Sequence, residues 1–153
     1  MSDRKRIIGV IGASSASPEG LILAEEVGRR IAESGAVLVC GGLGGVMEAA
    51  SRGCREAGGE VLGILPGPDA ASANGHVTMA IPTNMGHARN VIIAHTAEAL
   101  VAVEGEYGTL SEAAIALKLG KKVFALRPRL PLAGVTIVET AAEAVCNALG
   151  AFK

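Results

Sequence analysis

The chain has 153 residues, half of them hydrophobic but only 2% aromatic, and a formal net charge of −1. That length suits a single domain with a substantial core, and a core almost without rings has to be built from Val, Ile, Leu and Ala. The near-neutral charge, with no cluster of Lys and Arg, argues against nucleic acid as the main partner, and no apolar run approaches the roughly 20 residues of a membrane span.

The chain opens on Met1-Ser2-Asp3-Arg4-Lys5-Arg6, followed by the apolar stretch from Ile7. This imitates a signal peptide, but the apolar part is too short and is broken by glycines, so no leader is expected. Ile7–Ile11 reads as the first strand, and Gly12-Ala13-Ser14-Ser15 turns out of it. Ser17 is placed as an N-cap with Pro18 at the first helical position, and the helix should run to about Ser34, where Gly35 stops it. Ala36–Cys40 is the second strand. It is followed by Gly41-Gly42-Leu43-Gly44-Gly45 and a helix through about Ala57, which Gly58-Gly59 ends. Glu60–Leu65 is the third strand.

Pro66 to Gly75 is a loop of Pro, Gly, Ala, Ser and Asn, the segment expected to be most flexible but too short for a domain linker. Val77–Ile81 reads as a short strand and Met85–His95 as a helix. Ala99–Val103 is a run of small and branched apolar residues, the mark of a strand buried on both faces. It stops at Glu104-Gly105-Glu106-Tyr107-Gly108. Thr109 should then open a helix, with Thr109-x-x-Glu112 at capping-box spacing, Leu110, Ala113, Ala114 and Leu117 at helical intervals, and Gly120 as the stop. Next come the strand Lys122–Leu126, a loop around Pro128 and Pro131, a short strand near Val135–Val138, and a last helix opened by a second box, Thr140-x-x-Glu143. There is no internal repeat.

Strands alternating with helices imply a single α/β domain with a doubly wound parallel sheet. In such sheets ligands bind at the carboxyl ends of the strands, beside the point where strand order reverses. The loops at Gly12–Ser15, Gly41–Gly45 and Gly105–Gly108 each follow a strand, so all three should open on one edge. A strand, a glycine turn and a helix N-terminus together suit an anion, usually a phosphate.

The common phosphate motifs do not fit. The turn Gly12-Ala13-Ser14-Ser15-Ala16-Ser17 lacks the dinucleotide G-x-G-x-x-G, and the second strand ends at Cys40 where an acidic residue would hold a ribose. Gly120-Lys121-Lys122 lacks the Ser or Thr of a Walker A loop. There is no G-x-S-x-G elbow, and His87 and His95, eight residues apart, are too distant for one metal ion, so no metal site is expected. His76 has no evident partner. Cys40, Cys54 and Cys146 fit neither a disulfide framework nor a C-x-x-C pair and read as reduced thiols of a cytoplasmic protein. A mean hydropathy of +0.42 is high for a monomer, and with few charges on Val91–Ala94 and Ala113–Leu119 it points to a homo-oligomer, a dimer or tetramer.

CGGLGGVMEAASRG (Cys40–Gly53), MGHARN (Met85–Asn90) and EGEYGTLSE (Glu104–Glu112) stand in this order along the chain. Together they resemble the Rossmann-like superfamily of the LONELY GUY phosphoribohydrolases and the molybdenum-cofactor carrier proteins. GGVMEAASRG, ARNVI and YGTLSE are closer to the carrier branch, since the hydrolases read GGGxxGLMG, an arginine followed by lysine, and PGGxGTxxE. The carrier resemblance implies a pocket that holds a phosphorylated pterin, the molybdenum cofactor, without consuming it, and no cofactor of its own. The hydrolase alternative implies cleavage of a nucleoside 5′-monophosphate to base and ribose 5-phosphate, with the catalytic pair on Arg89 and Glu112. The superfamily has also carried the label "possible lysine decarboxylase", an activity not expected here.

The expected ligand-binding residues are Gly12, Ser14, Ser15, Gly41, Gly42, Gly44, Gly45, Arg89, Asn90, Gly105, Tyr107, Gly108 and Thr109. Four glycines in five positions exceed the need of one tight turn and favour close approach of a ligand. Arg89 near a helix start offers a fork of donors to a phosphate, against the plainer reading of a solvated arginine. Glu112 has two readings, a helix cap or a catalytic carboxylate, and Ser14 and Ser15 are either local caps or contacts. Met47 reads as core. This chain departs from both branches at Glu104 and Glu106, where carboxylates would repel an anion unless they turn away or hold a cation, and at Asn90, which stands for the hydrolase lysine.

Overall fold

A computed structural model describes residues 3–150, so Met1 and Ser2 of the leader-like start lie outside it. The elements follow the order β1 (Ile7–Gly12), α1 (Pro18–Glu33), β2 (Val37–Cys40), α2 (Val46–Glu56), β3 (Val61–Leu65), β4 (Met79–Pro82), α3 (Arg89–Thr96), β5 (Ala99–Val103), α4 (Tyr107–Lys118), β6 (Lys122–Leu126), β7 (Thr136–Val138) and α5 (Ala141–Gly150). The seven strands form one sheet in the order β4-β3-β2-β1-β5-β6-β7, with every pair parallel. This is the doubly wound arrangement that the strand–helix alternation implies.

The sheet separates two cores. On one side Ile8, Val10, Leu38, Val101 and Val103 pack against Ala24, Val27 and Ile31 of α1, Ala49 and Ala50 of α2, and Ala144 and Val145 of α5. On the other, Ile11, Val39, Leu100 and Ala102 meet Ile93 and Ala94 of α3 and Ala113 and Ala116 of α4. Alternation along β1 and β5 sends successive side chains to opposite layers, which is why both strands read as unbroken apolar runs. Small residues let α1 and α2 touch closely. A Cβ on Gly28 would lie 1.9 Å from the Ala50 carbonyl oxygen, and one on Gly53 would lie 2.0 Å from that of Glu25.

Most boundaries fall within a residue or two of expectation. Ser17 caps α1, accepting from the Gly20 amide at 3.0 Å, with Pro18 in the first turn. Thr140 caps α5, and Glu143 reaches back to the Glu139 amide at 3.0 Å. Thr109-x-x-Glu112 does not form a box. Helix α4 begins at Tyr107, two residues before Thr109, so Glu112 lies inside the helix rather than at its mouth. The sharp turn out of β5 is made by Glu104 and Gly105, both at positive φ (52° and 102°), which lets the helix start sooner. The expected helix at Met85–His95 is a 3-10 turn, Gly86–Ala88, leading into α3. The loop from Pro66 contains another such turn, Ala70–Ser72, and is tied to the second glycine loop by Asn74, whose amide donates to the Gly42 carbonyl at 2.8 Å. No described helix is long and apolar enough to cross a membrane.

Candidate functional site

Strand order reverses at β1 and β5: β1 is followed by α1 on one face of the sheet and β5 by α4 on the other. Adjacent crossovers that diverge leave a crevice at the carboxyl edge. A cleft of about 450 Å³ opens there, walled by the loops after β1, β2 and β5, the start of α3 and the first turns of α4. The three glycine-bearing loops therefore share one edge, as expected.

Of the expected binding residues, Gly12, Ser14, Ser15, Gly41, Arg89, Asn90, Tyr107, Gly108 and Thr109 line the cleft, and Glu112 lines it too. Gly42, Gly44, Gly45 and Gly105 do not. For Gly45 the fold supplies the reason: its φ is 68°, and a Cβ would lie 2.4 Å from the Ala13 carbonyl oxygen, which accepts from the Val46 amide at 2.9 Å. That glycine joins the first two loops. Gly41 serves the wall itself, because a Cβ there would lie 2.6 Å from Nη2 of Arg89 and 2.7 Å from Sδ of Met47. Met47 is both partly buried core and cleft wall.

Arg89 opens α3 and is buried, at 8% exposure. Its Nη1 donates to Oδ1 of Asn90. Asn90 Nδ2 donates to Ser111 Oγ at 3.3 Å, and that hydroxyl donates to the Gly108 carbonyl at 3.0 Å, so α3 and α4 are laced together behind the cleft. Nε of Arg89 has no partner, the one buried side-chain nitrogen or oxygen in that state among the described residues. A buried donor left unmade costs about 1–3 kcal/mol, and a charged one more. It is therefore a standing demand for an acceptor. Beside it, the N-terminus of α4 carries no side-chain cap, unlike that of α1. Free amide groups and the positive end of the helix dipole meet the same space.

Glu112 is buried at 8% exposure, and burial pushes its carboxyl up to about 7, while the charge of Arg89 works against the rise. A capping role is ruled out by its place in the helix, leaving a carboxyl in the cleft wall that is part neutral near neutrality. Glu104, the feared repulsive charge, has turned away. Its carboxylate accepts from the Ser17 amide at 2.9 Å, Ser17 Oγ at 2.5 Å, Arg127 Nε at 3.3 Å and Arg129 Nη2 at 2.9 Å. Burial pushes its pKa up, but these donors outweigh burial and hold it below the usual carboxylate range. Glu106 does line the cleft, is exposed, and lies 3.8 Å from Nη1 of Arg129.

Arg129 and His87 also line the cleft, and neither was singled out as a binding residue from the sequence. Arg129 follows a Pro in a loop without periodicity, and its partner Glu104 lies 25 residues away. Only the apolar-free sequence Arg127-Pro128-Arg129 directly after a strand carried any signal. Cys40, beneath the cleft, and Cys54 are buried thiols, and burial raises both pKa values, that of Cys54 to about 12. No group of three or more His, Cys, Asp or Glu among the described residues is placed to hold a metal ion.

A profile of the SLOG cluster4 family matches residues 5–149. An uncharacterized protein of Archaeoglobus fulgidus is 51% identical over 138 residues, covering 90% of this chain and 91% of that protein. The molybdenum cofactor binding protein of Rippkaea orientalis superposes with a TM-score of 0.93 at 35% identity, over 99% of this chain and all of that one. The molybdenum cofactor carrier protein of Chlamydomonas reinhardtii superposes with a TM-score of 0.88 at 36% identity, over 97% and 99% of the two chains.

Proposed function

The chain belongs to the SLOG cluster4 family, and from that premise we propose that it binds a phosphorylated heterocycle, a nucleotide or a molybdopterin-type cofactor, as cargo held without reaction. The observation that carries this is the buried, unpartnered Nε of Arg89 beside the uncapped start of α4. A phosphate oxygen in the cleft would accept from the guanidinium and from the free amide groups of the first turn of α4, at Tyr107, Gly108 and Thr109. The cleft volume of about 450 Å³ falls in the range of small-molecule sites and leaves room for a ring system beyond the phosphate. The two solved proteins of 35% and 36% identity are described as binding or carrying the molybdenum cofactor, which supports the cofactor as one such cargo.

A second reading rests on Glu112. A carboxyl raised to about 7 and set across from Arg89 is the pair that a phosphoribohydrolase would use, the carboxylate stabilising an oxocarbenium-like transition state and the arginine the phosphate. Binding is preferred because Asn90, in place of a second cation, is spent on Arg89 and Ser111. Titration calorimetry with inorganic phosphate and nucleoside monophosphates, with an assay for ribose 5-phosphate, separates the two. Binding without release is expected. Release by the wild type that is lost in Glu112→Gln would replace cargo binding with hydrolysis. Absence of any binding at millimolar concentration would overturn both.

A further inference from the structure

The ends of β5 and β6 carry an unusual pair. Val103 and Leu126 are register partners, and the residue after each, Glu104 and Arg127, sits in the left-handed region with φ of 52° and 50°. Neither is glycine, asparagine or aspartate. Such conformations are strained for residues with a side chain and persist where the surroundings enforce them. Here the enforcement is the carboxylate of Glu104, which ties three loops together: Ser17 after β1, its own turn after β5, and Arg127 and Arg129 after β6. Gly20 completes the seat, since a Cβ there would lie 2.6 Å from that carboxylate.

The consequence falls on Arg129. Its Nη2 is fastened twice, to Glu104 Oε1 at 2.9 Å and to the Ser15 carbonyl at 3.0 Å, while its side chain forms part of the cleft wall. A guanidinium pinned at one nitrogen keeps a fixed orientation, and its Nη1 lies 3.8 Å from Glu106, too far for a hydrogen bond. Arg89 reaches the cleft from a different element, the start of α3. Two immobilised cations of one cleft thus come from separate elements.

We propose that Arg129, oriented by Glu104, is a second anion anchor, and that the cleft takes ligands carrying two anionic groups: one at Arg89 and the start of α4, the other at Arg129. The inference rests on the anion-binding reading above and narrows its ligand class. Glu104 is a positioning residue that never meets the ligand.

Inorganic phosphate and pyrophosphate, titrated calorimetrically against the intact protein, provide one-anion and two-anion probes. The wild type should bind pyrophosphate about tenfold or more tightly than phosphate. Arg129→Ala should collapse that ratio, Arg89→Ala should weaken both probes together, and Glu104→Gln should lower the ratio while Ser17 can still bond its side chain. Arg129→Lys serves if Glu104→Gln does not fold, because it keeps the charge and loses the fork that reaches Ser15 and Glu104. Failure of the wild type to bind either probe overturns the anion-binding reading and this inference with it. Equal binding of the two probes, or a ratio untouched by Arg129→Ala, overturns this inference alone.

Discussion

Glu112 makes folding stability depend on pH in a direction opposite to that of an ordinary carboxylate. In the unfolded chain its pKa is 4.5, and in the cleft wall burial raises it to about 7. The folded state therefore holds the proton more tightly. Below pH 4.5 the group is neutral in both states and costs nothing. Between 4.5 and 7 the unfolded chain ionises freely while the folded one resists, so stability falls as pH rises, and above 7 the loss is complete. At about 1.4 kcal/mol per pH unit the full loss is about 3 kcal/mol. Glu112→Gln keeps the shape and removes the ionisation, so the variant should match the wild type near pH 4.5 and exceed it by about 3 kcal/mol at pH 8. For a domain of this size that is about 6–12 °C in melting temperature. The assay is urea denaturation of both proteins at several pH values, compared as a difference so that all other titrating groups cancel. Parallel pH profiles for the two proteins would refute the burial of an ionisable Glu112. A bound anion should also favour the proton on Glu112, so anion affinity should fall as pH rises through 7 in the wild type and not in the variant.

Gly20→Ala places a methyl group 2.6 Å from the Glu104 carboxylate, and overpacking of this kind should cost about 1–3 kcal/mol by chemical denaturation; a variant as stable as the wild type would show that the Glu104 seat is loose. Glu106→Gln removes the exposed carboxylate of the cleft and should strengthen phosphate binding a few-fold at low salt, an effect that salt erases; weaker binding would mean that Glu106 helps the ligand. Val91 and Leu119 are each 41% exposed on the α3 and α4 layer, and analytical ultracentrifugation at micromolar concentration should find a dimer or larger, a monomer being the contrary result.

The parallel sheet and its cleft edge were legible because β1, β2 and β5 are apolar runs leading into glycine-bearing turns, a pattern with few structural solutions. The roles of individual residues were not. Thr109-x-x-Glu112 and Thr140-x-x-Glu143 share one spacing, yet Thr140 and Glu143 cap a helix while Glu112 is a cleft carboxyl. The difference was made by the turn at Glu104 and Gly105, which starts α4 early. The second glycine loop reads as a ligand cradle, but Gly45 is claimed by the Ala13 carbonyl and Gly41 by Arg89. Both claims come from elements distant in sequence. Arg129 was hidden for the same reason: nothing local marks an arginine whose meaning is set by Glu104 and Ser15 across the sheet edge.

The most direct measurement is mass spectrometry of the small molecules that co-purify with the protein, wild type beside Arg89→Ala. A phosphorylated heterocycle should accompany the wild type in near-stoichiometric amount and be depleted from the variant if the proposed role of Arg89, whose Nε has no other partner, holds. Wild-type protein carrying no phosphorylated compound, and taking up none when incubated with nucleotides or with molybdenum cofactor, would contradict that role for the cleft.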